Sequence, residues 1–175
     1  MRLKQTSILS VTAVALLAVS TVLADDFEST KEPPTPTLGP GEAGVYFMRP
    51  ASLGMAISFW AFVDETLVGV TKGNSYTFAA VPAGEHLIWS SSGNVTALKV
   101  TLEAGKIYYF EQKVKMGGIK ARVSLEPMAE TDARESFGKE KYTTLTDEGR
   151  AKGAEELVEH YAEAVAAASA PPPAE

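Results

Sequence analysis

From Val45 to Glu126 the chain alternates apolar and polar positions with a period of two. Ile119, Ala121, Val123 and Leu125 alternate with Lys120, Arg122, Ser124 and Glu126, and Leu98, Val100 and Leu102 alternate with Lys99, Thr101 and Glu103. Successive strand side chains point to opposite faces, so each segment has one dry and one wet face. That is the habit of antiparallel sheets. Turn signals separate the runs at Asp64-Glu65, Gly73-Asn74, Ser92-Gly93-Asn94, Ala104-Gly105 and Gly117-Gly118. Gly and Asn tolerate the positive φ of tight hairpins. Eight strands are predicted: 45–49, 56–63, 66–71, 75–80, 86–91, 95–102, 106–114 and 119–126. A strand about every ten residues is the spacing of an all-β sandwich or barrel.

Two strands break the alternation. Ile57, Phe59, Ala61 and Val63 form one face of their strand, while Trp60 and Phe62 lie on the other. Such a strand is either covered on both sides or exposes an aromatic patch. Tyr108-Tyr109-Phe110 poses the same question. After Met128 the period lengthens. Glu130 to Phe137 reads as a short helix stopped at Gly138. Asp147 to Ala168 reads as an amphipathic helix, with Ala154, Leu157, Val158, Tyr161, Ala162 and Val165 on one stripe. Lys152, Glu155, Glu156, Glu159 and Glu163 take the opposite face. Thr146 is its predicted N-cap, and Asp147 and Glu148 suit the positive end of the helix dipole. Gly149 and Gly153 are expected to weaken its first turns by roughly 1 kcal/mol each. The stripe packs either on its own sheet, over Trp60 and Phe62, or on another chain.

The ends of the chain add an address. Arg2 and Lys4 precede an apolar run from Ile8 to Leu23, and Val22-Leu23-Ala24 sets small residues before Asp25. This predicts a signal peptide over 1–24, cleaved after Ala24; the alternative is a retained anchor, for which the run is short and diluted by Ser and Thr. Residues 25–42 hold Pro33, Pro34, Pro36 and Pro40 and read as a disordered or semi-stiff linker. The predicted organisation is then a β-sandwich over 43–128, a helical extension over 129–170 and a disordered tail over 171–175. Cleavage would take the formal net charge from −6 to −8 with the loss of Arg2 and Lys4. Such acidity repels phosphate backbones and argues against nucleic-acid binding. The chain has no cysteine, which excludes disulfides, thiolate metal sites and a thioether lipid anchor.

No reaction centre is legible. His86 follows a glycine turn with no spaced His or Cys partner, so it reads as a hydrogen-bonded strand residue rather than a base or metal ligand. His160 lies four residues from Glu156 and reads as a surface pair. Ser90-Ser91-Ser92 carries no Gly-x-Ser-x-Gly elbow and reads as loop chemistry. Met116-Gly117-Gly118 lacks the Lys-Ser/Thr of a phosphate cradle. Asn94-Val95-Thr96 matches a glycosylation acceptor pattern in a predicted turn. Catalytic residues, metal ligands and cofactors are therefore all expected to be absent. Trp60, Phe62 and Trp89 are the candidates for ligand contact, with core packing as the competing reading.

Gly44-Val45-Tyr46-Phe47-Met48-Arg49-Pro50, then Phe62-Val63-Asp64, Gly73-Asn74-Ser75-Tyr76, Val81-Pro82-Ala83-Gly84-Glu85-His86 and Ala104-Gly105-Lys106-Ile107-Tyr108-Tyr109-Phe110 follow one another in order. This series resembles the bacterial domain-of-unknown-function family 2846, small exported proteins often carried as lipoproteins. The resemblance covers roughly Ala43 to Met128. It implies an antiparallel β-sandwich of the transthyretin-like or carboxypeptidase-regulatory-like kind, here with a C-terminal amphipathic helix, and it implies no activity. Many relatives carry a lipid-bearing cysteine after the signal, where this chain has Asp25, so no lipid anchor is expected. Relatives also tend to have glycine after the hairpin aspartate, where this chain has Glu65. The functional expectation is a non-catalytic binding or structural module of the periplasm or cell envelope, whose partner is another envelope protein or a cell-wall component. An envelope glycan or peptide hydrolase, or a small-ligand or sugar binder using an aromatic face, are the alternatives.

Overall fold

A computed structural model describes residues 25–50, 54–116 and 121–169. The signal segment, the Gly117-Gly118 turn and the tail over 171–175 lie outside the described residues. The elements are β1 (Phe27–Thr30), β2 (Glu42–Arg49), β3 (Phe59–Val63), β4 (Thr66–Thr71), β5 (Ser75–Pro82), β6 (Gly84–Ser91), β7 (Val95–Leu102), β8 (Ile107–Met116), β9 (Ala121–Pro127), α1 (Glu130–Phe137), β10 (Lys141–Leu145) and α2 (Asp147–Ala167). Two sheets stack as a sandwich, one in the order β1-β10-β5-β2-β8-β9 and the other β4-β3-β6-β7.

The larger sheet is mixed. β2 pairs with β8 in parallel, Gly44 opposite Ile107, and β10 pairs with β5 in parallel, Lys141 opposite Ser75. A parallel pair needs a long crossover, and here the chain supplies it by laying β3, β4, β6 and β7 into the other sheet before returning as β8. Between the sheets lie Val45, Phe47, Ala61, Val63, Ile88, Leu102 and Phe110. One polar thread crosses this interior. Thr71 Oγ1 donates to Gln112 Oε1 at 2.6 Å, Gln112 Nε2 donates to Ser90 Oγ, and Ser90 donates to the Trp60 carbonyl. Ser90 and Ser91 thus belong to β6 and are buried, not loop residues as the serine run implies.

Two elements escape the period-two reading. β1 lies inside the segment read as a linker and pairs with β10, Phe27 opposite Leu145; β10 itself lies inside the helical extension. Both are short strands of four and five residues, too brief for alternation to declare them; β1 is the edge of the larger sheet and β10 joins it to β5. Residues 31–38 carry no regular structure, as their prolines require.

The helix α2 is capped by Thr146, whose hydroxyl accepts from the Gly149 amide at 3.1 Å. It lies on its own chain, against the outer face of the smaller sheet. The buried line of the helix runs through Gly149, Gly153 and Ala164, with Leu157 and Tyr161 half-buried beside it, while Val158 is 86% exposed. The contact line is therefore rotated from the stripe read off the apolar residues. A Cβ on Gly149 would fall 1.8 Å from the Asp26 carbonyl oxygen, and one on Gly153 would fall 2.2 Å from Leu67 Cδ2. The two glycines read as helix weakeners are the points of closest approach.

Candidate functional site

The three rings picked out by sequence are brought together and sealed. Trp60 is 7% exposed, and Phe62 and Trp89 are wholly buried. Phe62 and Trp89 stack with centroids 3.9 Å apart, and Tyr161 of α2 closes over Trp89 at 6.3 Å. Their burial under α2 removes the surface a ligand would need, so Trp60, Phe62 and Trp89 are core. The reason is cross-strand geometry: Phe62 and Trp89 sit directly opposite each other on β3 and β6, and a helix with two glycines reaches them.

His86 also resolves as structure. Its Nδ1 lies 2.6 Å from Asp64 Oδ2 and its Nε2 lies 2.7 Å from the Pro82 carbonyl. Asp64 is the turn residue between β3 and β4, with a φ of 52°. Its other carboxylate oxygen accepts from the Leu87 amide, and its carbonyl accepts from Trp89 Nε1. The Asp64 and His86 motifs therefore lock the β3–β4 turn onto β6. Asn94 behaves likewise, its amide bridging both backbone groups of Val123 at 2.7 and 3.0 Å. His160 lies 3.6 Å from Glu156 and 3.7 Å from Glu163 on the helix surface. Among the described residues no group of three or more His, Asp or Glu side chains is placed to hold a metal ion, and no helix is long and apolar enough to cross a membrane.

The opposite face of the molecule carries the groove that sequence reading missed. On the outer side of the larger sheet, Tyr46 from β2, Tyr76 and Phe78 from β5, Tyr109 from β8 and Tyr142 from β10 form a second aromatic cluster, with Phe137 of α1 leaning in edge-on. Tyr46 and Tyr109 stack at 5.3 Å, and Tyr46 meets Phe78 at 4.7 Å. The extended segment Pro33 to Thr37 runs across one side of this cluster as a strap. Between strap and rings lies a groove of about 500 Å³, mostly apolar, lined by Tyr46, Tyr76, Phe78, Phe137 and Tyr142. That volume suits a small organic ligand.

The phenols of this groove keep their protons. Burial pushes the Tyr46 phenol up to about 12, with the neighbouring Tyr109, Tyr76 and Tyr142 adding to the effect. Burial raises Tyr142 as well, and raises Tyr76 with help from Glu140. Among the described residues none of the hydroxyls of Tyr46, Tyr76 and Tyr142 is spent on a protein partner. The accessible ring surface of the groove comes from the half-buried Phe78, Phe137 and Tyr142, while Tyr46 and Tyr76, 6% and 5% exposed, form its buried floor.

Beneath one end of the groove sits an unusual carboxyl. Glu140 is 5% exposed and its two oxygens accept no hydrogen bond. Burial raises it to about 8; Ser136 opposes this only in part, since its hydroxyl donates to the Asp132 carbonyl, and the charge of Glu111 adds to the rise. Arg49 is equally buried, but its guanidinium donates to the Gly54 carbonyl at 2.6 Å and to the Ile57 carbonyl, and lies over Phe59 at 3.9 Å. It clamps the loop before β3, and burial lowers it to about 10.

The family model described as "Protein of unknown function (DUF2846)" matches residues 40–128. An uncharacterized protein of Haemophilus influenzae is 28% identical over 100 residues, which are 57% of this chain and 60% of that protein. The chain therefore spans less than two thirds of the length of that relative. No solved structure matches. The matched region holds β2 through β9 and stops before α1, β10 and α2.

Proposed function

The chain belongs to the DUF2846 family, and on that premise we propose that it is a non-catalytic, exported binding module whose ligand lies in the strapped aromatic groove. The ligand class is a hydroxylated ring compound of the cell envelope, a saccharide or glycan segment. One observation carries this: a groove of about 500 Å³ between Pro33–Thr37 and the rings of Tyr46, Tyr76, Phe78 and Tyr142. Aromatic faces present a negative π surface to the electropositive C–H edge of a ring ligand. Proline carbons offer a second apolar wall, and protonated phenols donate to hydroxyl oxygens. Export is supported by the signal pattern over 1–24. Phenols, prolines and phenylalanines, with Lys31, Thr35 and Thr37, line the groove, a set suited to binding a ring.

The test is ligand-detected NMR with a panel of soluble envelope saccharides against the intact protein, followed by titration of any hit. Phe78→Ala, which removes a half-buried ring of the groove wall, lowers affinity about tenfold, the loss expected when a stacked ring is removed. Tyr161→Ala, on the other aromatic face, leaves affinity unchanged. A panel without a hit, or equal losses in both variants, overturns the reading.

A further inference from the structure

The other concave feature beside this groove is electrostatic. Lys31 follows β1, Lys72 follows β4, and Lys139 and Lys141 bracket the start of β10. All four line one cleft of about 430 Å³, together with Phe27 and Met55. The whole chain carries a formal charge of −6, so this convergence runs against its average. Of the described lysines elsewhere, Lys106 pairs with Glu103, Lys113 with Glu126 and Lys152 with Asp26, each at 2.7 Å, and Lys99 has only the Ser169 hydroxyl as partner. Among the described residues no carboxylate makes an ion pair with any of the four cleft lysines, and Lys72 lies 5.0 Å above the Phe27 ring. Glu140, which stands between Lys139 and Lys141, turns into the protein instead. Held protonated at neutral pH by its burial, it supplies no counter-charge there. Lys31, Lys139 and Lys141 are exposed and Lys72 half-buried, and four ammonium groups around one concavity add their fields and concentrate anions.

The cleft also opens beside the strapped groove. Lys31 lines both, and the residue pairs Ser75-Tyr76 and Lys141-Tyr142 each contribute one member to the cleft and one to the aromatic wall. We infer that the lysine cleft is a binding site for a soluble phosphate-class anion, and that this anion is the acidic part of the ligand whose ring occupies the groove. The second half rests on the proposed function; the anion site itself does not.

The probe is inorganic pyrophosphate, titrated at low ionic strength into the intact protein and followed by backbone amide NMR. Saturable shifts confined to residues 72–75 and 139–142 are expected. The double variant Lys72→Gln/Lys141→Gln weakens binding about tenfold, while Lys113→Gln, a paired lysine of β8, does not. Non-saturating shifts, or equal weakening by Lys113→Gln, overturn the site. So does binding to phosphatidylglycerol vesicles without binding of pyrophosphate, which makes the lysines a membrane-facing patch. Pyrophosphate binding in a protein that takes no saccharide sustains the anion site while the groove reading falls. Saccharide binding without pyrophosphate binding refutes the cleft and leaves the groove standing.

Discussion

The two sheets each present a cluster of aromatic rings to the outside, and the clusters meet different fates. Over β3 and β6, the 21-residue helix α2 comes down until Gly149 and Gly153 touch backbone and Leu67, and the rings beneath vanish from solvent. Over β2 and β5, the cover is the 8-residue helix α1 and a proline strap. A proline segment has few amide donors and forms no layer of its own. It stands off Phe78 and Tyr142 and leaves space beside them, although Tyr46 and Tyr76 beneath are buried. What turns an aromatic face into core or into a groove is the cover, whose approach distance is set by residues far away in sequence.

The largest effect that would sharpen this contrast comes from deleting one ring on each side. Trp89→Ala removes a wholly buried side chain together with its stack on Phe62 and its bond to the Asp64 carbonyl. A loss of about 3–5 kcal/mol is expected in urea denaturation. Phe78→Ala, on the half-exposed groove wall, should cost about 1 kcal/mol, since part of its surface is already wet. Equal losses would mean that the strap closes on its rings in solution as α2 does.

Much of this contrast was legible in advance, but not its outcome. The eight central strands, α1, α2 and the Thr146 cap follow from period, turn residues and capping chemistry, because these are local properties. The aromatic pattern on Trp60 and Phe62 was legible as well, yet nothing local distinguishes a covered face from an open one. Gly149 and Gly153 look like propensity defects until the Asp26 carbonyl and Leu67 are known to lie against them. Tyr46, Tyr76 and Phe78 carried the signal for the groove: each is a ring on the outward side of a strand whose inward side already holds Val45, Phe47 or Ala79. Phe137 and Tyr142 join them only through tertiary packing. The lysine cleft gathers four residues from positions 31 to 141, so no window of sequence contains it.

The next effect separates the two faces by pH. With its folded value raised to about 8 from an ordinary 4.5, Glu140 keeps a proton in the folded protein that the unfolded chain has released. The folded state therefore binds more protons across that window, and stability falls as pH rises from about 4.5 to about 8. Below the window both states are protonated and the penalty is absent; above it the penalty is constant. The total is on the order of 2 kcal/mol after relaxation around the buried charge. Glu140→Gln should flatten the profile and raise the melting temperature at pH 8. A wild-type profile with no downward slope in this range would show that the carboxyl finds water or a partner.

The smallest effect tests the anchoring of the sealing helix. Thr146 accepts from the Gly149 amide at 3.1 Å and donates to the Asp25 carbonyl at 2.8 Å, so one hydroxyl both caps α2 and ties it to the chain entering β1. Thr146→Ala should cost about 1 kcal/mol, the usual worth of such a cap. Hydrogen exchange should quicken in the first turn of α2 and in β1 together, because Gly149 rests on Asp26 and both lose the same tether. The groove side should be unaffected, since neither α1 nor the strap touches this hydroxyl. Faster exchange in β5 or α1 of the variant would mean that the two covers are coupled through β1 and β10, and the faces could no longer be treated as independent.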